Sequence, residues 1–227
     1  EGYPVNIPWK LKSKLFSTVD RFKLSSAMYL AQKFISGRSK SEGTHVNRRW
    51  KQHQQVIKSL EAPLIAFEFG AGKTLAQNIY LSELVSRQIV VDLNFMLDLK
   101  LCEATRRNLV ANHLIKSGKP IFTTKDLLNY GIEYEAPFDA SDTNLKDNSI
   151  DICISTATFE HIPVVEIGTI LVELHRIIKL GGIVSAVIDY SDHYWHTDRS
   201  ISPLNFLKYS ENEWSRYNHS CHYQNRL

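Results

Sequence analysis

The sequence predicts an α/β fold, a mostly parallel, doubly wound sheet covered by helices on both faces. Three observations indicate it: apolar runs of strand length, stretches of helical periodicity between them, and two glycines that close the first run in FEFGAG. Strands that alternate with helices favour a parallel sheet, because each crossover carries a helix that covers one face. Ligands of such sheets bind at the carboxyl ends of the strands.

Residues 1–60 are predicted to form a basic helical extension ahead of the sheet domain, which we place at 61–227. The whole chain has a net charge of only +3, yet this segment holds 12 Lys and Arg against three acids. An apolar stripe recurs in it at helical spacing: Leu11, Leu15, Val19 and Phe22. We favour a helix that packs this stripe on the core. The alternative is a surface for anionic lipid, a peripheral membrane contact, or for a phosphorylated substrate.

The first elements follow in order along the chain. A polar segment at 37–48 predicts a loop, and a helix follows at about 50–60. The apolar run 63–69 predicts the first buried strand, and a helix then extends to about residue 87. QIVVDLN at 88–94 predicts the second buried strand.

The second half of the sheet is predicted in the same way. Helical periodicity marks 95–115, and 132–140 predicts a weaker strand. A turn and a fourth strand occupy 146–155. Pro163 then opens a helix with one apolar stripe, and a KLGG turn ends this helix before the fifth strand at 182–190.

The glycine turn after the first strand is compatible with three kinds of cofactor site. A nucleotide-phosphate loop requires glycine where Phe67 stands, so the letters GKT do not support one. A dinucleotide fingerprint fits Gly70 and Gly72, but Leu75 stands where its third glycine is needed for close packing. The remaining pattern is E-x-G-x-G, a turn that brings the backbone close to a cofactor beside the acidic Glu68.

Asp92 follows the second strand about 20 residues after this turn, where a carboxylate can accept hydrogen bonds from ribose hydroxyls. A helix-capping aspartate is the alternative. Together with Asp139-Ala140, DNSIDICIS, TFEHIP and ELHRIIKLGGIV, these landmarks resemble the class I S-adenosylmethionine-dependent methyltransferases over about residues 62–190.

This resemblance implies a Rossmann-like fold and S-adenosylmethionine as the cofactor. It implies the cofactor-binding residues Glu68, Phe69, Gly70, Ala71, Gly72, Asp92, Asp139, Ala140 and Ser155. The family fold has two further strands after the fifth, and the sequence beyond Tyr190 shows no pair of them. We therefore expect the last strands to be incomplete in this chain, with the C-terminal part of the domain truncated.

A cluster of acids and imidazoles follows the fifth strand in IDYSDHYWHTD, where this architecture holds its acceptor. Methyl transfer to an alcohol requires a group that removes the hydroxyl proton, and histidine is the natural base near neutral pH. We expect His193 to be that base, with His196 second, Asp189 orienting the imidazole and His161 in reserve. The alternative is that these polar groups only cap a loop.

The stretch 189–210 resembles methyltransferases of polysaccharide and sugar pathways, which implies O-methylation of a sugar or polysaccharide-precursor hydroxyl. Its aromatic residues suit sugar stacking. A nucleic-acid partner is disfavoured, because no binding module accompanies the basic charge and the fourth strand lacks the signature of base amino-methylating enzymes. No metal is predicted, since Ser155-Thr156 ends the fourth strand where a divalent-metal site needs an acid.

Two other classes of protein stay open. One is a non-catalytic cofactor-binding or membrane-associated adaptor of the same fold, and the other is an NAD-dependent oxidoreductase. The three cysteines, Cys102, Cys153 and Cys221, are too widely spaced for a disulfide framework or a zinc site. No apolar run reaches the length of a membrane span. We therefore expect a cytoplasmic protein.

Overall fold

A computed structural model, which describes residues 7–22, 41–219 and 223–226, shows a five-stranded parallel sheet. Its strands are β1 (Ile65–Phe69), β2 (Arg87–Val91), β3 (Ile132–Glu135), β4 (Ile150–Thr156) and β5 (Ile178–Val187). They pair in the order β3-β2-β1-β4-β5, and every pair is parallel. The prediction of an α/β fold with a parallel sheet is confirmed.

The helices that the structure describes are α1 (Trp9–Arg21), α2 (Arg48–Ile57), α3 (Ala76–Leu81), α4 (Leu99–Ala111), α5 (Val164–Ile177) and α6 (Glu211–Trp214). Short 3₁₀ helices lie at Thr124–Tyr130, Phe159–His161 and Asn205–Lys208. The chain moves outward from β1 in both directions, so right-handed crossovers put α3 and α4 on one face of the sheet and α5 on the other. Over the described residues, no helix combines the length and the apolar character that crossing a bilayer requires.

Contacts divide the chain into two units. The sheet unit comprises Lys40–Phe159 and Val165–Val187, and the terminal unit comprises Glu1–Ser39, Glu160–Val164 and Ile188–Leu227. This division differs from the boundary between residues 60 and 61 that the sequence predicts, because α2 packs in the core of the sheet unit through Trp50 and Ile57. The described residues after β5 form a 3₁₀ helix and α6 but no further strand.

The strands are buried because their side chains alternate between two apolar layers. Ala66 of β1 and Ile152 of β4 belong to the core cluster that also contains residues of α2, α3 and α4. Phe67 and Phe69 of β1 point to the opposite face, where Phe69 meets Phe159 edge to face with ring centroids 5.3 Å apart. Such a two-sided burial favours strands that are mostly apolar, and the sequence shows runs of this kind.

Several predicted boundaries are wrong by a few residues. The helix after the glycine turn ends at Leu81, not near residue 87, because Arg87 begins β2 and pairs with Glu133 of β3 at 2.7 Å. The predicted helix 95–115 begins at Leu99, because the Asp98 carboxylate caps it by accepting from two backbone N–H groups. KLGG is not a turn between helix and strand. It lies inside β5 as an irregularity, since the pairs Ile150–Ile178 and Ile152–Ile183 enclose it.

The helix predicted in the basic segment exists as α1, but it packs through a different face. Leu11 and Leu15 of the predicted stripe are 60% and 58% exposed, and Phe22 is 65% exposed. The buried side chains are Trp9, Ser13, Phe16 and Val19. Two large aromatic side chains remove more apolar area from water than the leucines would, so they take the inward face.

The aromatic cluster of the terminal unit therefore depends on α1. Its buried members are Trp9, Phe16, Tyr194, Phe206 and Trp214. The Trp9 ring lies 5.5 Å from that of Tyr194, and the backbone N–H of Trp9 donates to the Asp198 carboxylate at 2.9 Å.

The two faces of α1 should respond differently to truncation. Phe16→Ala should lower the free energy of unfolding by about 3–5 kcal/mol, because it leaves a cavity among aromatic rings. Leu15→Ala, on the exposed face, should change it by about 0.5 kcal/mol or less. Urea unfolding followed by tryptophan fluorescence measures both. A larger loss for Leu15→Ala than for Phe16→Ala would show that the helix packs by its leucine stripe.

Candidate functional site

The glycine turn lies at the carboxyl edge of the sheet, directly after β1. Gly70 and Gly72 both have φ of +77°, a conformation that glycine adopts without strain. The Gly70 N–H donates to the Val91 carbonyl at 2.9 Å, which fixes the turn against the end of β2. A Cβ at Gly72 would meet no atom within 4 Å, so the turn leaves open space on that side. This open cradle fits a bound cofactor.

Glu68 is buried beneath this turn. Its carboxylate accepts hydrogen bonds from Gln77 Nε2 at 3.1 Å and from Asn78 Nδ2 at 2.7 Å, both on α3. Burial raises the pKa of Glu68 to about 7. The carboxylate is therefore committed to anchoring the turn to α3, while the residue also lines the adjoining cavity.

A cavity of about 190 Å³ opens beside the turn. Residues that the sequence analysis did not identify supply much of its wall: Glu42, Asn47, Arg49, Trp50, Thr74, Gln77 and Thr156. The Thr74 hydroxyl donates to Glu42 at 2.8 Å. The cavity is smaller than the roughly 300–1,000 Å³ of whole-ligand pockets, so it suits one end of a cofactor. No local sequence pattern marks the first four of these residues, because they precede the sheet.

Asp92 lies directly after β2 and next to the glycine turn. Its carboxylate accepts from the Tyr134 hydroxyl at 2.9 Å and more weakly from the Gly72 N–H at 3.5 Å. Burial raises the pKa of Asp92 to about 6. The helix-capping alternative for Asp92 is wrong, because Asp98 caps α4. Each carboxylate oxygen keeps a lone pair for a ligand hydroxyl.

The other predicted cofactor residues differ in their surroundings. Asp139 is exposed and accepts from the N–H and hydroxyl of Ser141, which lower its pKa, whereas Ala140 is buried. Ser155 is fully buried, and its hydroxyl has no hydrogen-bond partner among the residues described. Alternation along β4 turns the next residue, Thr156, toward the cavity instead. The predicted role of Ser155 therefore does not fit its position.

The remaining predicted backbone positions lie where the turn needs them. Ala71 lines the cavity, and the Phe69 side chain packs in the core, so only its backbone faces the turn.

His53 is a buried polar residue that the sequence analysis missed. Its ring lies between the hydroxyls of Ser185 and Thr156, at 2.7 and 2.9 Å. Burial lowers the pKa of His53 to about 4, so the ring is neutral at neutral pH. A signal existed, because His53 follows Trp50 and precedes Ile57 at the helical spacing of a buried face.

The four predicted catalytic residues all lie in the terminal unit. His196 Nε2 lies 3.4 Å from the Asp189 carboxylate and 3.3 Å from the Ser191 hydroxyl. His193 is only 7% exposed, and its ring centroid lies 4.6 Å from that of His161. The pKa of His193 is lowered to about 4, mainly because the ring is buried and to a smaller extent because His161 is close to it. Asp189 is thus placed to orient the imidazole of His196.

Two other acids of the same stretch serve the loop itself. Asp192 is fully buried and accepts from Asn205 Nδ2 at 3.0 Å and from the Tyr194 N–H at 2.8 Å. Asp198 accepts from the backbone of Trp9 and from Ser200. The capping alternative is therefore right for these two residues.

A glycine turn after the first strand of a parallel sheet, with a buried acid after the second, defines an α/β domain built to hold a cofactor at its carboxyl edge. The family described as a methyltransferase domain matches residues 68–186, and the chain belongs to this family. The match confirms the resemblance to class I S-adenosylmethionine-dependent methyltransferases and the cofactor that it implies.

Similar solved structures include a candidate methyltransferase from Bacillus halodurans, at 17% identity and a TM-score of 0.48 over 78% of this chain and 62% of that chain. Another is a candidate methyltransferase in complex with a Haloferax volcanii methyltransferase activator, at 18% identity and a TM-score of 0.42 over 69% and 60%. A third is phosphoethanolamine N-methyltransferase 1 of Haemonchus contortus with phosphoethanolamine and S-adenosylhomocysteine, at 12% identity and a TM-score of 0.44 over 82% and 34%.

This chain spans less than two thirds of the length of each of these three proteins. Comparison with curated proteins gives no significant match.

Cofactor affinity should depend on the ionisation of Asp92. Its raised pKa of about 6 means that the carboxylate, which the sequence analysis predicts to accept from ribose hydroxyls, is present above that pH and is lost below it. The Kd for S-adenosylmethionine should therefore rise about tenfold for each pH unit below 6. Asp92→Asn should weaken binding by about 1–3 kcal/mol at neutral pH and abolish this acid dependence.

Calorimetric titration at several pH values measures both effects. Asp147→Asn is a matched control, because Asp147 is an exposed carboxylate paired with Arg176. If the Kd of Asp92→Asn for S-adenosylmethionine still rises at acidic pH as in the parent, another group binds the ribose.

Proposed function

We propose that this protein transfers the methyl group of S-adenosylmethionine to a hydroxyl oxygen of a sugar or polysaccharide precursor. The observation that carries the proposal is the open glycine turn beside the buried Asp92 carboxylate, together with membership of the methyltransferase domain family. When bound, the cofactor supplies an electrophilic methyl carbon. The acceptor oxygen bonds to this carbon, the electron pair of the broken C–S bond stays on sulfur, and a base takes the hydroxyl proton.

The cavity beside the turn supports a role in holding the amino-acid end of the cofactor. Arg49 brings a cation to the cavity wall that would attract a carboxylate, and Glu42 brings a carboxylate that would attract an ammonium group. The ribose hydroxyls would then fall to Asp92. For these contacts to form, the cofactor would have to pass close to Gly72. The open space at Gly72, which has no side chain, would allow this approach.

His196 is our choice for the base that removes the hydroxyl proton. Its side chain is 45% exposed, so an acceptor can approach it, and the Asp189 carboxylate at 3.4 Å orients the imidazole. His193 is a weaker choice, because burial holds its pKa at about 4 and limits both its basicity and its access.

A sugar acceptor is supported by exposed aromatic surface in the same stretch. Tyr190 is 62% exposed, and Trp195 is half-buried with the Arg199 guanidinium 3.5 Å above its ring. Other aromatic residues that the sequence analysis considered for stacking are not free to do so. Tyr194 and Phe206 are buried in the aromatic cluster of the terminal unit.

A transfer assay tests the function directly. The whole chain is incubated with methyl-labelled S-adenosylmethionine and a panel of free, nucleotide-linked and lipid-linked sugars, and formation of S-adenosylhomocysteine is followed. His196→Ala should reduce kcat by about 10²–10⁴-fold, the usual contribution of a general base, with little change in cofactor Kd. His175→Ala is the matched control, because His175 is an exposed histidine on α5.

Cofactor binding without transfer to any hydroxyl acceptor would favour the non-catalytic adaptor. Parental turnover in His196→Ala would remove this residue from the chemistry.

We also propose that α1 contacts anionic membrane surfaces. Its exposed side carries the apolar residues Leu11, Leu15 and Phe22 next to the basic residues Lys10, Lys14 and Arg21. An exposed apolar stripe beside cations is the pattern of a helix that lies in the interface of a bilayer with negatively charged headgroups. The sequence analysis assigned the stripe to core packing. Val19 is buried as that assignment expects, whereas the exposure of Leu11, Leu15 and Phe22 supports the alternative.

Vesicle binding distinguishes the two uses of the stripe. Leu15→Ser should weaken binding to phosphatidylglycerol-containing vesicles about tenfold, since about 1.5 kcal/mol or more of buried leucine area is lost. Leu128→Ser is the matched control, because Leu128 has the same 58% exposure on the sheet unit. Equal binding to neutral and anionic vesicles, or equal losses in the two variants, would contradict the proposal.

A further inference from the structure

Three side chains with metal-binding atoms lie together in the terminal unit: Glu160, His161 and His193. One ligand atom from each lies within 4.8 Å of those of the other two. Within residues 7–22, 41–219 and 223–226, no other three acids, histidines or cysteines meet this spacing. Two of the three belong to the segment after β4, and the third belongs to the loop after β5.

His161 presents a ring nitrogen with a free lone pair. Its Nδ1 lies 3.0 Å from the backbone carbonyl of Tyr223, and because a carbonyl only accepts, Nδ1 carries the proton. In the neutral ring, Nε2 is therefore the unprotonated nitrogen. Histidines that bind metals usually donate their other N–H to a carbonyl or carboxylate, which fixes the orientation of the ring. The contact with Tyr223 supplies this second interaction, and the exposed position of His161 admits an ion from solvent.

Glu160 presents a carboxylate oxygen that its surroundings leave unsatisfied. The side chain is 2% exposed, and its Oε1 accepts from the Asp189 N–H at 3.2 Å. Its Oε2 is buried without a hydrogen-bond partner in the part of the chain that the structure describes. An unpaired buried carboxylate oxygen is costly, and a bound cation would remove this cost.

Hydrogen bonds with Gln224 and Asn225 hold the two ligand-bearing segments in place. The Asn225 N–H donates to the Glu160 carbonyl at 2.8 Å, and the His193 N–H donates to Gln224 Oε1 at 3.1 Å. Adjacent residues near the C-terminus thus bind both segments. Such support from neighbouring groups is what keeps ligands close to a productive geometry.

The spacing of the three ligand atoms fits one ion after small side-chain rotations. Zinc binds histidine nitrogen and carboxylate oxygen at about 2.0–2.2 Å, which sets tetrahedral ligands about 3.4 Å apart. The ligand atoms, which lie within 4.8 Å of one another, would therefore have to approach slightly, and His161 is exposed to solvent on one side.

We propose that Glu160, His161 and His193 bind one divalent transition-metal ion of the zinc class and leave a further coordination position open. Two imidazoles with one carboxylate form a ligand set that zinc takes in sites with an open position. Imidazole disfavours Mg²⁺ and Ca²⁺, which prefer oxygen ligands. The site goes beyond methyl transfer, and it differs from the divalent-metal site at the end of the fourth strand that the sequence analysis set aside.

Metal titration of the whole chain tests the site. After chelator treatment and dialysis, the protein should bind one equivalent of Zn²⁺, and Co²⁺ in its place should give the visible absorption of a low-coordinate site. His161→Ala and Glu160→Gln should each weaken Zn²⁺ binding by more than the 10–100-fold typical of residues outside the ligand set. His175→Ala and Glu166→Gln, exposed residues on α5, are matched controls and should keep the parental affinity.

Unchanged Zn²⁺ affinity in both His161→Ala and Glu160→Gln overturns the proposal. An equal loss of Zn²⁺ affinity in the control variants, or displacement of Zn²⁺ by a modest excess of Mg²⁺, overturns it as well. His161→Ala keeps the test decisive even if Glu160→Gln does not fold, because His161 is exposed. S-adenosylmethionine binding by the same variants separates the two proposals. If a variant loses metal binding but still binds the cofactor, only the metal-site proposal is contradicted. If the chain binds one Zn²⁺ but transfers no methyl group, only the proposed methyl transfer is contradicted.

Discussion

A continuous chain of hydrogen bonds between buried and half-buried side chains holds the sheet unit together at the carboxyl edge, beside the glycine turn. It runs through Ser185, His53, Thr156, Gln77, Glu68, Asn78 and Gln88. The Thr156 hydroxyl donates to Gln77, so it accepts from His53 Nε2, and His53 Nδ1 must then accept from Ser185. This order requires a neutral His53, and its burial, which lowers its pKa to about 4, provides one. Four strands and two helices are thereby fixed to one another at the glycine turn, because each partner of a buried polar network depends on the next.

Much of the fold could be predicted, because a parallel strand that is buried on both faces requires a mostly apolar run in the sequence. The face of α1 could not be predicted in this way. Two apolar patterns share that helix, and the one that is buried contains Trp9 and Phe16 with a serine between them. Their partners Tyr194 and Trp214 lie far away in the sequence, so no local periodicity distinguishes the packed stripe from the exposed one. The prediction that KLGG forms a turn was wrong for a related reason. A pair of glycines indicates an irregular backbone, but it does not show whether the irregularity lies between two elements or within a strand.

The candidate site likewise contains positions that local sequence patterns could predict and positions that depend on tertiary packing. The position of Asp92 beside the glycine turn could be predicted, because the distance from the turn to the end of the next strand is set by one helix and one strand. Ser155 illustrates the opposite case, where a shift of one residue along β4 exchanges the fully buried serine for Thr156, which lines the cavity. Arg49 and Glu42 line the same cavity from before the sheet, and only tertiary packing brings them there. The cluster of Glu160 with His193 likewise depends on two loops that meet after separate strands.

The two glycines of the turn show how protein constraints and ligand constraints can be told apart. Both have the same positive φ, yet a Cβ at Gly70 would collide with the side chain of Thr158, whereas a Cβ at Gly72 would meet no atom within 4 Å. The fold itself therefore requires glycine at Gly70, through backbone conformation and a close neighbour. At Gly72 only the backbone conformation acts within the protein, and asparagine or aspartate can adopt that conformation at modest cost. The empty volume above Gly72 adjoins the carboxylate of Asp92, whose acceptor capacity exceeds its protein donors. Space without a side chain beside an acceptor without a full set of donors is what a ligand with hydroxyl groups requires, and the predicted ribose contact would meet both conditions.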